Sequence, residues 1–250
     1  MIPELPALVY AAGLVFARLG AILMLLPGFG EPSIPVRIRL VFALLLCLIM
    51  APIIAPSLPA MPPQPLAMAG IVISEVITGL MIGAVARMLV STAAVAGQVI
   101  GMQTGLAMAQ SFDPSQGSQG ALIATYLNLT FLLLLLATNT HHMLLQMAVN
   151  SYVVFEPGAM PSMADAADWA LTAFADAFRL GIQLASPLIM YGLLFYFALG
   201  ILSRLMPQAQ IFFIAMPSNI LVGLFILAIA VGAMSAVWLE RMQRFALDMN

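Results

Sequence analysis

Charge is what this chain has least of. Its 250 residues carry eight basic and ten acidic side chains, 7% in all, where a soluble domain carries about a quarter. Lysine is absent, and the basic residues are arginines scattered from Arg18 to Arg244. A formal net charge of -2 without a basic patch excludes the electrostatic footprint of a nucleic-acid binder. The single cysteine, Cys47, allows neither an internal disulfide nor a thiolate metal cluster. Its place in the apolar run from Leu44 to Met50 marks it as a packing residue. Catalytic signatures are missing as well, with no His-Glu-x-x-His, Gly-x-Ser-x-Gly, phosphate-binding loop or Gly-x-Gly-x-x-Gly. The only two histidines, His141 and His142, are adjacent and point in different directions along a helix, with no cysteine or carboxylate at ligand spacing. They read as part of a polar turn, Thr138 to His142. No enzyme activity, metal or cofactor is expected. The start Met-Ile-Pro-Glu precedes the first positive charge, Arg18, so it lacks the basic beginning of a cleaved signal peptide, and the first apolar run is expected to stay in the chain.

What the chain has in excess is apolar surface. A hydrophobic fraction of 63% is more than one soluble core can hide, because a folded domain still needs a polar skin. A membrane-spanning helix needs about 20 mostly apolar residues. Candidate runs are Leu5 to Leu26, Leu40 to Ala55, Leu66 to Val90, Ala121 to Ala137, Ala177 to Ser203 and Ile211 to Trp238. Long unbroken runs favour helices over barrel strands, which alternate over about 10 residues. An all-α, polytopic integral membrane protein of about six helices follows, as one domain over residues 1–250.

The interruptions are informative. Pro27 to Pro35, and Pro56 through Pro65, break helix by ring clash and missing donors. After the third run, Ser91 to Gln110 turns rich in Ala, Gly, Ser, Thr and Gln, and Asp113 to Gly120 is the most polar uncharged stretch apart from its one aspartate. Gly97, Gly101 and Gly105 share one helical face, where backbones can approach closely; Gly79 and Gly83 repeat the spacing one helix earlier and read as generic packing. Glu75 and Arg87 sit in or at the end of an apolar run, where an ionised side chain is expensive unless paired or wet. Twelve residues separate them, about 18 Å along one helix, so they do not pair with each other. Glu75 needs Arg18, or a neighbouring subunit, as its partner. A buried interhelical or intersubunit hydrogen bond is favoured over a proton relay, because Glu75 has no inward polar companions.

Loop charges place Arg37 and Arg39 on the cytoplasmic side. Strict alternation then puts Arg87 and Arg204 inside and the acidic Glu156, Asp165, Asp168 and Asp176 outside, but it also puts Arg241 and Arg244 outside, against the rule. Either one run does not span, or protein holds the helices more than lipid does.

Three groups of residues occur together: Arg18 with Leu25 to Gly30 and Ile34 to Arg39; Gly97 to Gly105 running into Phe112-Asp113-Pro114; and Arg204 to Phe212 with Met216-Pro217 and Gly223. In this order they resemble the FliR family of export-gate subunits of the flagellar type III secretion apparatus and its injectisome relatives, across essentially the whole chain. The resemblance implies one copy assembled with several FliP-like and FliQ-like subunits around a pore, much of it lifted above the membrane plane. Residues 1–175 would then be FliP-like and 176–250 a FliQ-like hairpin. It implies a pore plug at Leu106 to Gly120, with Met108 and Phe112 as apolar gasket and Asp113 and Pro114 shaping the turn. It implies that Arg204, Pro207 and Gln208 face the cytoplasmic entrance, where an FlhB-like component docks beside FlhA-like machinery. Unfolded substrates would pass through, driven by an ATPase and proton motive force elsewhere, and the location would be the bacterial inner membrane within the flagellar basal body. An injectisome homologue is the first alternative. A small secondary transporter is the second, and it lacks the inverted repeats and midplane polar clusters that such a fold uses.

Overall fold

The computed structural model describes residues 5–106, 122–206 and 211–248. These are almost entirely helical: α1 (Leu5–Leu25), α2 (Val36–Ile54), α3 (Pro65–Gln103), α4 (Leu122–Ala137), α5 (Thr140–Val154), α6 (Met163–Leu205) and α7 (Ile211–Asp248), with a 3-10 turn at Ala55–Ser57. The protein is an all-α polytopic membrane protein. Five helices are long and apolar enough to cross a bilayer, and six spans result if α4 and α5 count as one broken span.

Each expected run became a helix, and the differences lie at the ends. Helix α3 continues thirteen residues past Val90 to Gln103, because Ala, Thr and Gln sustain helix and nothing breaks it before Gly105, whose φ of 76° is the left-handed stop that glycine adopts freely. Helix α6 begins at Met163 rather than Ala177, its polar first turns capped by Ser162, whose Oγ accepts the Asp165 amide at 3.4 Å. Helix α5 was not among the six runs, since Thr140, His141, His142 and Asn150 dilute its apolar character. Asn139, at φ 58°, makes the break before it, and the two histidines lie in its first turn with rings 4.0 Å apart.

At 39, 43 and 38 residues, α3, α6 and α7 extend roughly 57 to 65 Å, about twice the thickness of a hydrocarbon core. Substantial lengths of each helix therefore project beyond any bilayer they cross. Pro52, Pro187 and Pro217 lie inside α2, α6 and α7, a placement tolerated in membrane helices where neighbours satisfy the freed carbonyls.

The chain forms two compact units. The first comprises Met1–Leu89, Leu135–Ala175 and Met242–Asn250; the second comprises Val90–Leu134 and Asp176–Arg241. In the first, α1 buries Leu14, Val15, Leu19 and Ile22 completely, a stripe at helical spacing. Helix α2 lies against α1 by a narrow line, Ala43, Cys47 and Ile54, and the Cys47 thiol donates to the Ala12 carbonyl at 3.1 Å. Much of the remainder of α2, including Val41, Leu44, Leu45, Leu48 and Ile49, is exposed. In the second unit the core centres on Leu127, Phe131 and Trp238, the last two stacked with centroids 4.7 Å apart.

Candidate functional site

Within the first unit, α3 carries Glu75, Gly79, Gly83 and Arg87 at four-residue intervals, which places them in one row. Arg18 of α1 meets the top of this row. Its Nε donates to Glu75 Oε2 at 2.6 Å and its Nη2 to Oε1 at 3.0 Å, with both side chains fully buried. This planar two-point contact is the arrangement that arginine makes and lysine does not. Arg18 Nη1 donates to the carbonyls of Ser151 at 3.1 Å and Phe155 at 2.9 Å, at the carboxyl end of α5 where helix carbonyls carry partial negative charge; the Ser151 oxygen also accepts the Phe155 amide at 2.9 Å. Tyr152 lays its ring against the guanidinium, 4.3 Å from Cζ. Glu75 Oε1 also accepts the Gly158 amide at 2.6 Å. Gly158 has φ 79°, and a methyl group there would meet Pro59 at 2.9 Å, so this turn accepts only glycine comfortably.

Lower in the row, Arg87 Nη1 donates to Glu31 Oε1 at 2.7 Å, and here the arginine is 39% exposed. Between the two pairs the helices touch backbone to backbone. A methyl group on Gly79 would stand 2.5 Å from the Arg18 carbonyl oxygen, and one on Gly83 would stand 2.8 Å from Leu25 Cβ. The glycines read from spacing as generic packing are the contact between two ion pairs. Both oxygens of Glu75 accept from fixed donors, three bonds in all, which makes it a brace between α1 and the turn at Gly158.

The second unit is held differently. A methyl group on Gly97 would collide with the Ala124 backbone, one on Gly181 would stand 2.7 Å from Val95, and one on Gly223 would stand 2.5 Å from Thr104 Cγ2. Gly192 abuts the Gln103 amide so closely that any side chain would overlap it. Asn219, 2% exposed on α7, donates from Nδ2 to the Gln103 carbonyl at 3.1 Å, and a methyl group at Gly105 would lie 3.4 Å from that nitrogen. Amides and small residues therefore join α3 to α6 and α7. The one ion pair described inside this unit, Arg241 Nη2 with Asp176 Oδ2 at 2.5 Å, is partly exposed.

Of the residues singled out in the sequence, Gly97, Gly101 and Gly105 are all buried, Gly97 at a helix contact and Gly105 at the end of α3. Glu75 and Arg87 each have a partner of opposite charge. Arg204 is exposed in the last turn of α6. Met108, Phe112, Asp113, Pro114, Pro207 and Gln208 lie outside the described residues. Among the described residues no group of three or more His, Cys, Asp or Glu could hold a metal ion. An apolar cavity of about 380 Å³ in the second unit is lined by Leu106, Leu122, Ile123, Tyr126, Leu224 and Leu227. Sequence reasoning passed over Glu31 and Asn219. The four-residue row from Glu75 to Arg87 was the available signal for Glu31, since an Arg87 at a helix contact demands an acid; nothing in the sequence pointed to Asn219.

Comparison with known proteins places these features. The family model described as bacterial export proteins, family 1, matches residues 9–245. The flagellar biosynthetic protein FliR of Caulobacter vibrioides is 42% identical over 233 residues, covering 93% of each chain. Proteins of the same name from Bacillus subtilis and Escherichia coli are each 30% identical, over 90% and 84% of this chain and 87% and 80% of their own. With all three described ion pairs and every glycine contact inside the matched span, this chain belongs to the bacterial export proteins, family 1, the family of the flagellar biosynthetic protein FliR.

Proposed function

We propose that this protein is a structural, non-enzymatic channel component of the flagellar type III export gate in the bacterial inner membrane, required for flagellum assembly and for passage of unfolded substrates. The observation that carries this reading is full-length similarity to proteins named for flagellar biosynthesis, 42% identical across 93% of the chain. Two physical features support it. The helices α3, α6 and α7 are about twice as long as a bilayer core is thick, as a subunit raised out of the membrane requires. Rows of exposed apolar side chains, such as Met190, Leu193, Leu194, Phe197 and Ile201 on α6, fit burial against FliP-like and FliQ-like subunits.

In the same reading, Leu106 to Gly120 is the pore plug, with Met108 and Phe112 as gasket around Asp113 and Pro114, and residues 1–175 and 176–250 are the FliP-like and FliQ-like parts. Arg204, Pro207 and Gln208 then face the entrance used by FlhB-like and FlhA-like components. The test is complementation of a flagellate strain lacking its own FliR, with motility, substrate secretion and copurified subunits as readouts. Restored swimming together with recovery of FliP-like and FliQ-like chains is expected. Failure to assemble with them, or a stable monomer that moves a small solute, overturns the reading. A chain that restores an injectisome but not a flagellum redirects it to the injectisome alternative. For the plug, deletion of residues 111–117 is expected to leave the complex assembled but leaky to small ions, and an ion-tight complex removes that assignment.

A further inference from the structure

The row Glu75, Gly79, Gly83, Arg87 carries opposite charges at its two ends, and the segment facing it carries Arg18 and Glu31 in the complementary order. Sliding the segments by one turn would set both charges of α3 against apolar residues or glycine. Reversing their direction would set Arg18 against Arg87 and Glu31 against Glu75, like against like. The pattern therefore encodes both register and direction. The two ends nevertheless differ in chemistry. At Glu31 and Arg87 the two side chains bond to each other with no backbone group joining them among the described residues, and the arginine is partly in contact with solvent. At Arg18 and Glu75 the pair also reads fixed backbone groups: the Phe155 carbonyl, the Ser151 carbonyl that already accepts the Phe155 amide, and the Gly158 amide that needs an acceptor.

We propose that this row is a two-point register lock with unequal ends: a polarity-fixed end at Arg18 and Glu75 that also anchors the α5–α6 turn through Gly158, and an exchangeable end at Glu31 and Arg87. It does not depend on the channel function. Exchanging charges within the fixed end places a carboxylate against the Ser151 and Phe155 carbonyls and a guanidinium against the Gly158 amide, so acceptor faces acceptor and donor faces donor. Exchange at the other end reverses a pair that no backbone group joins among the described residues.

The test compares R18E, E75R and R18E/E75R with E31R, R87E and E31R/R87E. Each is made in the full chain coexpressed with its companion subunits, and the yield of folded protein extracted in mild detergent is read. The R18E/E75R protein is expected to stay at least tenfold below the unmodified chain, no better than its single reversals. The E31R/R87E protein is expected to return to within twofold of it, well above its own singles. Recovery of R18E/E75R to within twofold overturns the fixed end, and an E31R/R87E protein no better than its singles overturns the exchangeable end.

A second measurement separates anchoring from mere foldedness. R18K keeps the charge but loses the fork, and hydrogen exchange at the Gly158 amide is expected to quicken at least tenfold in it, whereas R87K leaves that amide unchanged. A folded R18K protein with unchanged exchange at Gly158 overturns the anchoring role. Loss of R18K from the folded fraction, with R87K retained, supports the fork requirement.

Discussion

The two compact units solve the same problem, bringing long apolar helices into backbone contact, with opposite chemistry. The first places glycines between two ion pairs, the fully buried Arg18 with Glu75 and the partly exposed Arg87 with Glu31. The second sets Gly97 against Ala124 and Gly223 against Thr104, with Asn219 bonded to the end of α3. Charges confer direction and register because a wrong pairing leaves an ion unmet; glycines confer only closeness, because a row of missing side chains looks alike one turn up or down. The first unit should therefore fail abruptly when a charge is removed, and the second in proportion to the volume inserted.

The sharpest way to break this comparison is Arg18→Ala. It strands Glu75 without its guanidinium in a fully buried site and takes a donor from the Phe155 carbonyl, so a loss of about 3–5 kcal/mol is expected, read as collapse of the thermal transition of the detergent-solubilised complex. A drop of less than 1 kcal/mol would make the first unit no more charge-dependent than the second. Next comes Gly97→Ala, where one methyl group meets the Ala124 backbone. Overpacking there is expected to remove about 1–3 kcal/mol, with Gly97→Leu worse than Gly97→Ala; Gly101→Leu, at a buried position on the same face, should behave alike. Equal melting for the Ala and Leu variants would break the proportional rule. Asn219→Leu is smaller, about 1 kcal/mol, the net worth of a buried hydrogen bond offset by a better apolar match. Arg241→Ala should have the least effect. Its pair with Asp176 is partly exposed on both sides, so a change below about 1 kcal/mol that shrinks further in high salt is expected, and a larger salt-independent loss would show that the second unit also relies on charge.

Much of the fold was legible before any coordinates. Scarcity of charge and long apolar runs imply membrane helices, since lipid leaves the backbone no partner except itself. Prolines and glycines mark the breaks, and Glu75 and Arg87 stand out as ions too costly to leave unmet, with the partner of the first open between Arg18 and a neighbouring subunit. What escaped were relations between distant positions. Arg18 and Glu75 are 57 residues apart in sequence, Arg87 and Glu31 are 56, and Asn219 and Gln103 are 116. Helix α5 was hidden because its polar side chains belong to contacts: Thr140 accepts Gln243 Nε2 at 3.3 Å, and the buried Ser151 hydroxyl donates to the Ala148 carbonyl at 2.7 Å.

The sequence by itself determined that the chain is helical, that it belongs in or against apolar surroundings, and which few ions had to find company, because periodicity and transfer free energy are properties of the local chain. Only the tertiary structure decided which ion meets which. It also decided that Gly79 and Gly83 lie between two pairs of opposite sense, and that the Arg18 fork closes the end of α5. Those depend on where α1, α3 and α5 come to lie, and no local preference specifies the partner of a side chain that has to be found across the fold.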